Sequence, residues 1–278
     1  VIEDFDDDNP KSFFSRLTFR WNGTKNQYHI WTANVLKLDF GKSFRDNQPV
    51  LDKIKERIPV TLTLNLISTF LAYLIAIPLG IYSAVNQHTL WDRISTIMVF
   101  ILYSLPNFWI GTMLIIFFGG GDFLDWFPYA GLYSNTYESL SIMGKFTDLI
   151  WHMILPIAVY TYGSFAYLSR QMRVGMLEII RQDYIRTARA KGLTENVVIY
   201  KHALRNSLIP IITILAYILP AMIGGSVIIE TIFTIPGMGS LAFEAITSRD
   251  YPVVMAVFTI SAVLTLIGIL LADLLYSV

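Results

Sequence analysis

A helical bundle that crosses a membrane several times is the fold class this sequence predicts, and three observations predict it. The chain of 278 residues is 54% hydrophobic and only 15% charged, against roughly 25% charged in soluble domains. Five windows contain no Asp, Glu, Lys or Arg: 58–91, 94–121, 149–169, 206–229 and 251–272. Each reaches the ~20 residues that a helix needs to cross a ~30 Å hydrocarbon core. Finally, the windows are apolar all round and lack the period-two alternation of a membrane barrel. Backbone groups in lipid must pair internally, so the windows are expected to be helices, in an all-α polytopic bundle of five spanning helices.

Taken in order, residues 1–57 come first. They are polar, open acidic (Glu3, Asp4, Asp6, Asp7, Asp8) and carry ten Lys or Arg. Trp21, Tyr28, Trp31 and Phe40 can bury a small amphipathic domain or sit at the membrane interface. Residues 39–45 read as a turn. Residues 51–58 read as a short amphipathic helix that Pro59 hands to the first spanning helix. The expected division is therefore an N-terminal segment, 1–57, and a membrane domain, 58–278.

The loops between windows divide by charge. Residues 122–148 carry one base, Lys145, against four acids, and 230–250 carry only Arg249. Residues 170–205 carry eight bases: Arg170, Arg173, Arg181, Arg186, Arg189, Lys191, Lys201 and Arg205. Loops rich in Lys and Arg stay cytoplasmic, so 170–205 is expected inside. Counting spans places 122–148 and 230–250 outside and 87–93 inside. The same count places 1–57 outside despite Lys53, Lys55 and Arg57. That needs an earlier spanning helix ahead of Val1, and the chain starts without Met and stops inside an apolar run. Pro78, Pro106, Pro156, Pro210 and Pro220 fall within or at the ends of windows, where proline is tolerated and often kinks a helix.

Most motifs dissolve on inspection. Gly41-Lys-Ser43 resembles the tail of a phosphate-binding loop, but the required glycine five positions earlier is Leu36. Gly119-Gly-Gly121 reads as a turn, and Asn22-Gly-Thr24 fits a glycosylation sequon. His29, His88, His152 and His202 are scattered, so no metal site is expected. The chain has no Cys, which excludes disulfides and a thiol nucleophile. No constellation for catalysis is present, so no enzyme is expected. Ionisable residues inside spans would signal proton or sodium coupling, and the windows hold none beyond His152 and the flanking Asp273. If the chain drives a solute uphill, a separate ATPase is the economical energy source.

The densest basic segment then acquires a purpose. Met176, Ile180, Tyr184 and Ala188 recur every four residues, an apolar stripe on one helix, with Arg181, Arg186, Arg189 and Lys191 on other faces. Gly192 can end that helix in the left-handed region. Thr194 can cap a second one, with Glu195 in its first turn. The expected hairpin, 171–205, is either a docking element for a cytoplasmic partner or a basic element lying on anionic lipid.

At these residues the chain resembles the membrane subunits of ATP-binding cassette (ABC) importers. Their signature is Glu-Ala-Ala, three residues, Gly, then a stretch ending Leu-Pro. Here the matching positions are Arg186, Thr187, Ala188 and Gly192, with Arg for Glu, Thr for the first Ala, and a longer gap to Pro210. The run Asp183-Tyr-Ile-Arg-Thr-Ala-Arg-Ala-Lys-Gly192, followed by His202-Ala-Leu-Arg-Asn-Ser-Leu-Ile-Pro210, is similar to the dipeptide/oligopeptide (peptide/nickel) permease family, B-type subunit. Ser104-Leu-Pro106 with Phe108-Trp109, Pro236-Gly-Met-Gly239 and Arg249-Asp-Tyr-Pro252 extend the resemblance over most of the chain.

The resemblance implies a type I importer fold with six spanning helices, the first missing here, in a bacterial or archaeal cytoplasmic membrane. It implies a coupling helix built from Asp183, Arg186, Thr187, Ala188, Arg189, Ala190, Lys191 and Gly192, seated on an ATPase. The implied partners are a C-type permease subunit, two cytoplasmic ATPase subunits and an extracytoplasmic solute-binding protein. ATP and Mg would reside on those ATPases, with no cofactor on this chain. Cargo would be di- or oligopeptides, or else nickel chelates, opines or small glycans. A membrane scaffold or passive channel is the reading from another class. Asn65, Tyr103, Asn107, Tyr160 and Tyr162 are polar groups inside windows that either line a substrate path or bond to neighbouring helices.

Overall fold

The computed structural model describes residues 26–120 and 123–276. The acidic opening, Trp21, the sequon at Asn22 and Gly121 lie outside the described residues. Residues 1–40 and 41–278 are two separate units. The first contains α1 (Gln27–Leu36), capped by Asn26, whose Oδ1 accepts the N–H of His29 at 2.7 Å. No residue of α1 is buried.

Among the described residues, the regular elements of the second unit are helices, apart from an isolated bridge between Lys42 and Pro49. It runs α2 (Val50–Val85), α3 (Leu90–Ser104), α4 (Asn107–Phe118), a 3-10 turn (Tyr137–Ser139), α5 (Ile142–Ile180) and α6 (Asp183–Ala190). Then come α7 (Glu195–Val197), a π-helical stretch (Val198–Ala203), α8 (Leu204–Ser207), α9 (Ile209–Gly224), α10 (Val227–Ile232), α11 (Met238–Thr247) and α12 (Tyr251–Tyr276). Among the described residues, α2, α5 and α12 are long and apolar enough to cross a membrane. The pair α3 and α4, bent by 98°, makes a fourth crossing if it is counted as one. The window 206–229 is divided among α8, α9 and α10, and α9 itself has 16 residues.

Two expectations need correcting. Pro59 does not end a short helix: α2 is continuous over 36 residues, with Pro59 and Pro78 both inside it. Each proline removes one donor, and packing in a bundle tolerates that loss. The window 94–121 is not one straight helix, because it breaks at Leu105 and Pro106. Pro106 has no N–H for the carbonyl of Leu102. The N–H of Leu105 bonds Leu102 O instead, at 3.3 Å, and the hydroxyl of Tyr162 on α5 lies against Leu102 O and donates to Leu105 O at 2.9 Å.

α2 and α5 form the central pair. Ser68, Ala72, Ala76 and Gly80 recur every four residues on α2 and are all buried. Small residues at this spacing let two membrane helices approach closely. At Gly80 the approach leaves no room for a side chain: a Cβ there would stand 2.6 Å from Met172 Cβ and 2.8 Å from Ser169 O. At one end of this pair a core of Leu64, Val159, Phe233 and Ile235 joins α10 to the bundle. At the other, Ile81, Ala84, Met172 and Met176 pack with the basic hairpin. Tyr73 ties α2 to α9 by donating to Ile211 O at 3.1 Å.

Candidate functional site

The basic hairpin is built around a buried seam. α5 ends at Ile180, and Arg181 and Gln182 turn the chain into α6. The expected stripe is therefore not on one helix. Met176 and Ala188 are buried, but Tyr184 is exposed, and its neighbour Ile185 is the fully buried side chain of α6. The turn at Arg181 shifts the helical phase by one residue. Ile185 and Ala188 pack with Met176, Ile81, Ala84, Val198, Ile199 and Ala203. Asp183, Arg186, Thr187, Arg189, Ala190, Lys191 and Gly192 are exposed. α6 thus has one face fixed to the ends of α2 and α5, and a charged face turned to solvent.

The turn after α6 depends on backbone conformation. Gly192 has φ +78, with nothing within 4 Å of an added Cβ. Space is therefore not the constraint; the left-handed conformation is. Thr194 stands at the start of α7 but makes no capping bond through its side chain, contrary to expectation. Glu195 instead reaches back across the turn to Arg189, accepting from Nη2 at 2.6 Å and from Nε at 3.1 Å. That hydrogen bond from Arg189 holds the Glu195 carboxyl below the usual glutamate range. Asn206 donates to the Tyr184 hydroxyl at 2.7 Å, closing the hairpin at its base.

A second focus lies at the opposite end of α2 and α5. Glu230 on α10 is fully buried. It accepts from the Ser240 N–H at 2.8 Å and from the Thr61 hydroxyl at 3.1 Å. The Tyr160 hydroxyl donates to it at 3.5 Å and accepts the N–H of Ser226 at 3.0 Å. Thr61 in turn accepts the N–H of Met238 at 2.8 Å. One carboxylate therefore gathers α2, α5, α10 and α11. It also explains Gly237, where a Cβ would stand 2.3 Å from Glu230 Cδ, whereas one on Gly239 would stand 2.6 Å from the Val227 backbone nitrogen. The charge-free window stops one residue short of this buried acid, so the sequence reading missed it.

A third element fastens the loop ahead of α2. Ser43 donates to Asp250 Oδ2 at 2.5 Å, and the Phe44 N–H donates to Oδ1 at 3.0 Å. Both Ser43 and Asp250 are buried. Ser43 therefore serves a carboxylate of the chain itself and not a phosphate. Beside it, the Lys53 ammonium donates to Asp46 at 2.5 Å and lowers that carboxyl to about 2.

The five polar candidates inside the windows do not converge. Asn65 donates to Thr61 O within its own helix, Tyr160 serves Glu230, and Tyr162 serves the break before α4. Asn107 opens α4 against Gly163, where a Cβ would meet Asn107 Nδ2 at 2.8 Å. Tyr103 is exposed and lines a cavity between α2, α3 and α5. Among the described residues no group of three or more His, Asp or Glu is placed to hold a metal.

The stretch from α2 through the hairpin and the Glu230 node to α12 is also the part that a known family shares. A family model described as "Binding-protein-dependent transport system inner membrane component" matches residues 76–278. The chain belongs to this family. It is accordingly a membrane component of a transport system and not an enzyme. The permease is 46% identical over 253 residues to the oligopeptide transport system permease protein AppB of Bacillus subtilis (strain 168), covering 91% of this chain and 78% of that one. It is 39% identical over 261 residues to the inner membrane ABC transporter permease protein YejB of Escherichia coli O157:H7, covering 92% and 71%. It is 36% identical over 264 residues to the dipeptide transport system permease protein DppB of Alkalihalophilus pseudofirmus, covering 90% and 79%. In three dimensions it is similar to a chain of the MetNI methionine ABC transporter in an inward-facing conformation, with TM-score 0.61 and 17% identity over 80% of this chain and 94% of that one. At that identity the likeness speaks for the fold alone.

Proposed function

We propose that this permease is the translocation subunit of an ATP-driven peptide importer and that α6 is its coupling helix. The single observation that carries the coupling role is the two-sided burial of α6. Ile185 and Ala188 are locked into the core formed by the ends of α2 and α5, while Asp183, Arg186 and Lys191 face solvent. A push on the charged face is delivered to the two longest helices of the bundle.

In this reading the hairpin 171–205 is cytoplasmic, five helices of this chain span the membrane, and a sixth precedes them. A C-type permease subunit completes the pathway. Two ATPase subunits hold ATP and Mg, and a solute-binding protein docks on the outer loops. Residues 1–57 belong to the outer side. Peptide cargo is supported by the oligopeptide and dipeptide permeases among the relatives. A glycan-bearing cargo has one observation in its favour: the chain is 36% identical over 245 residues to the peptidoglycan transport system permease protein YejB of Agrobacterium fabrum.

The test is Gly192→Val in the assembled transporter. A β-branched residue at φ +78 is strained, so the α6 turn must move. The expected result is loss of ATP-dependent peptide uptake together with loss of the co-purifying ATPase. Survival of both overturns the coupling role, and uptake of glycans in place of peptides overturns the cargo.

A further inference from the structure

The cavity of about 380 Å³ between α2, α3 and α5 includes no residue of α6 or of the Glu230 node in its lining. Leu79 and Ser83 line it one turn apart on α2. Thr96, Phe100 and Tyr103 line it from one face of α3, and Arg170 and Arg173 from one face of α5. Three helix faces converge, so the cavity is a product of the bundle and not of a loop.

Its polar end is organised. Asp92 is buried and takes Arg173 in a two-point contact, Nε to Oδ1 at 3.2 Å and Nη2 to Oδ2 at 3.1 Å. Ser83 donates to the same carboxylate at 2.5 Å. This pair neutralises itself and leaves Nη1 of Arg173 unused. Arg170, one turn earlier, is exposed and its guanidinium has no ion pair or hydrogen bond to another described residue. The cavity therefore carries one uncompensated positive charge. Its other end is apolar, with Leu79, Val99 and Phe100 in the wall.

Depth decides what this combination fits. Arg170 directly follows the charge-free stretch 149–169, and Thr96 lies in the first turn after Arg93. The basic end thus stands at one membrane face and the apolar end extends toward the bilayer interior. We propose that the cavity is a binding site for an anionic phospholipid of the cytoplasmic leaflet, with its phosphate on Arg170 and Arg173 Nη1 and an acyl chain against Phe100 and Val99. The choice of leaflet rests on the cytoplasmic hairpin proposed above. Basic pockets between membrane helices on that side are suited to acidic headgroups, and one phosphodiester matches the single excess charge.

The test uses the assembled transporter, exchanged into phosphatidylcholine vesicles with and without phosphatidylglycerol, then re-extracted for native mass spectrometry. The wild-type complex is expected to retain phosphatidylglycerol in preference to phosphatidylcholine. Arg170→Ala should weaken that preference about fivefold, the effect of removing one basic contact near a charged membrane surface, and Arg170→Lys should restore most of it. Val99→Trp, which fills the apolar end without altering charge, should abolish retention. Equal retention by wild type, R170A and V99W overturns the proposal. So does displacement of the lipid by a peptide with a free carboxylate but not by its amide, because cargo would then be the occupant. Retention is read without ATP hydrolysis or uptake, so this site fails or stands separately from the coupling role.

Discussion

Arg189 and Glu195 face each other across the Gly192 turn and join through two hydrogen bonds, at 2.6 and 3.1 Å. The pair straddles the turn that joins α6 to α7. Both side chains are partly exposed, so the contact adds rigidity more than stability. Exposed pairs of this kind contribute about 0.2–1 kcal/mol. Arg189→Ala should leave the fold intact and raise amide hydrogen exchange selectively in residues 190–200. Unchanged exchange there would show that the turn is held by Gly192 alone.

The same pair gives a pH dependence with a fixed sign. The Arg189 hydrogen bond holds the Glu195 carboxyl below its ordinary range. Such a group contributes stability that is complete above the ordinary glutamate pKa and disappears as pH falls through the lowered one. Hydrogen exchange in the hairpin should therefore be flat through neutral pH after correction for intrinsic rates, and accelerate only in acid. Glu195→Gln should remove the acid-dependent part. Acceleration that survives in that variant would assign it to another group.

Gly80 against Met172 carries the prediction for the membrane core. A Cβ at this position overlaps both a side chain and the Ser169 carbonyl. Gly80→Ala is expected to cost about 1–3 kcal/mol, the range for overpacking a close-packed site, and to lower the thermal midpoint of the complex in detergent. Gly80→Leu should prevent assembly. A midpoint equal to wild type in Gly80→Ala would mean that α2 and α5 approach less closely than described.

Glu230 is the sharpest test of the focus that joins α2, α5, α10 and α11. Glu230→Ala leaves the Ser240 N–H and the Thr61 hydroxyl buried without their acceptor, at about 1–3 kcal/mol for each group so stranded. Glu230→Gln keeps an acceptor oxygen and should be milder. Loss of stability that is equal in the two variants would point to packing in place of hydrogen bonding as the role of this side chain.

The elements differ in how far the sequence discloses them. The hairpin was legible because its signals are local: eight bases between two charge-free windows and a glycine where a helix must stop. Ile185 was not, because the turn at Arg181 resets the helical phase and no local signal marks it. Small residues at Ser68, Ala72, Ala76 and Gly80 were hidden inside a window scored only for lack of charge. Glu230 and the Ser43–Asp250 contact were invisible for a different reason. Their partners lie at Thr61, Tyr160, Ser226 and Ser240, or 207 residues along the chain, and only the fold brings them together. Tyr160 and Tyr162 stood out as polar groups in apolar runs, yet their hydroxyls satisfy a buried acid and the carbonyls at a proline break.

The docked orientation of α6 is the centre of the account, and the absence of Cys from the chain makes it directly measurable. Single cysteines placed at Arg186, on the exposed face, and at Ile185, on the buried face, can be labelled with a membrane-impermeant maleimide in inverted membrane vesicles, with and without the ATPase subunits. Arg186→Cys should react quickly in the permease alone and be protected when the ATPase is present, whereas Ile185→Cys should react slowly in both. Equal reactivity of Arg186→Cys with and without the ATPase would contradict the proposed coupling role of α6.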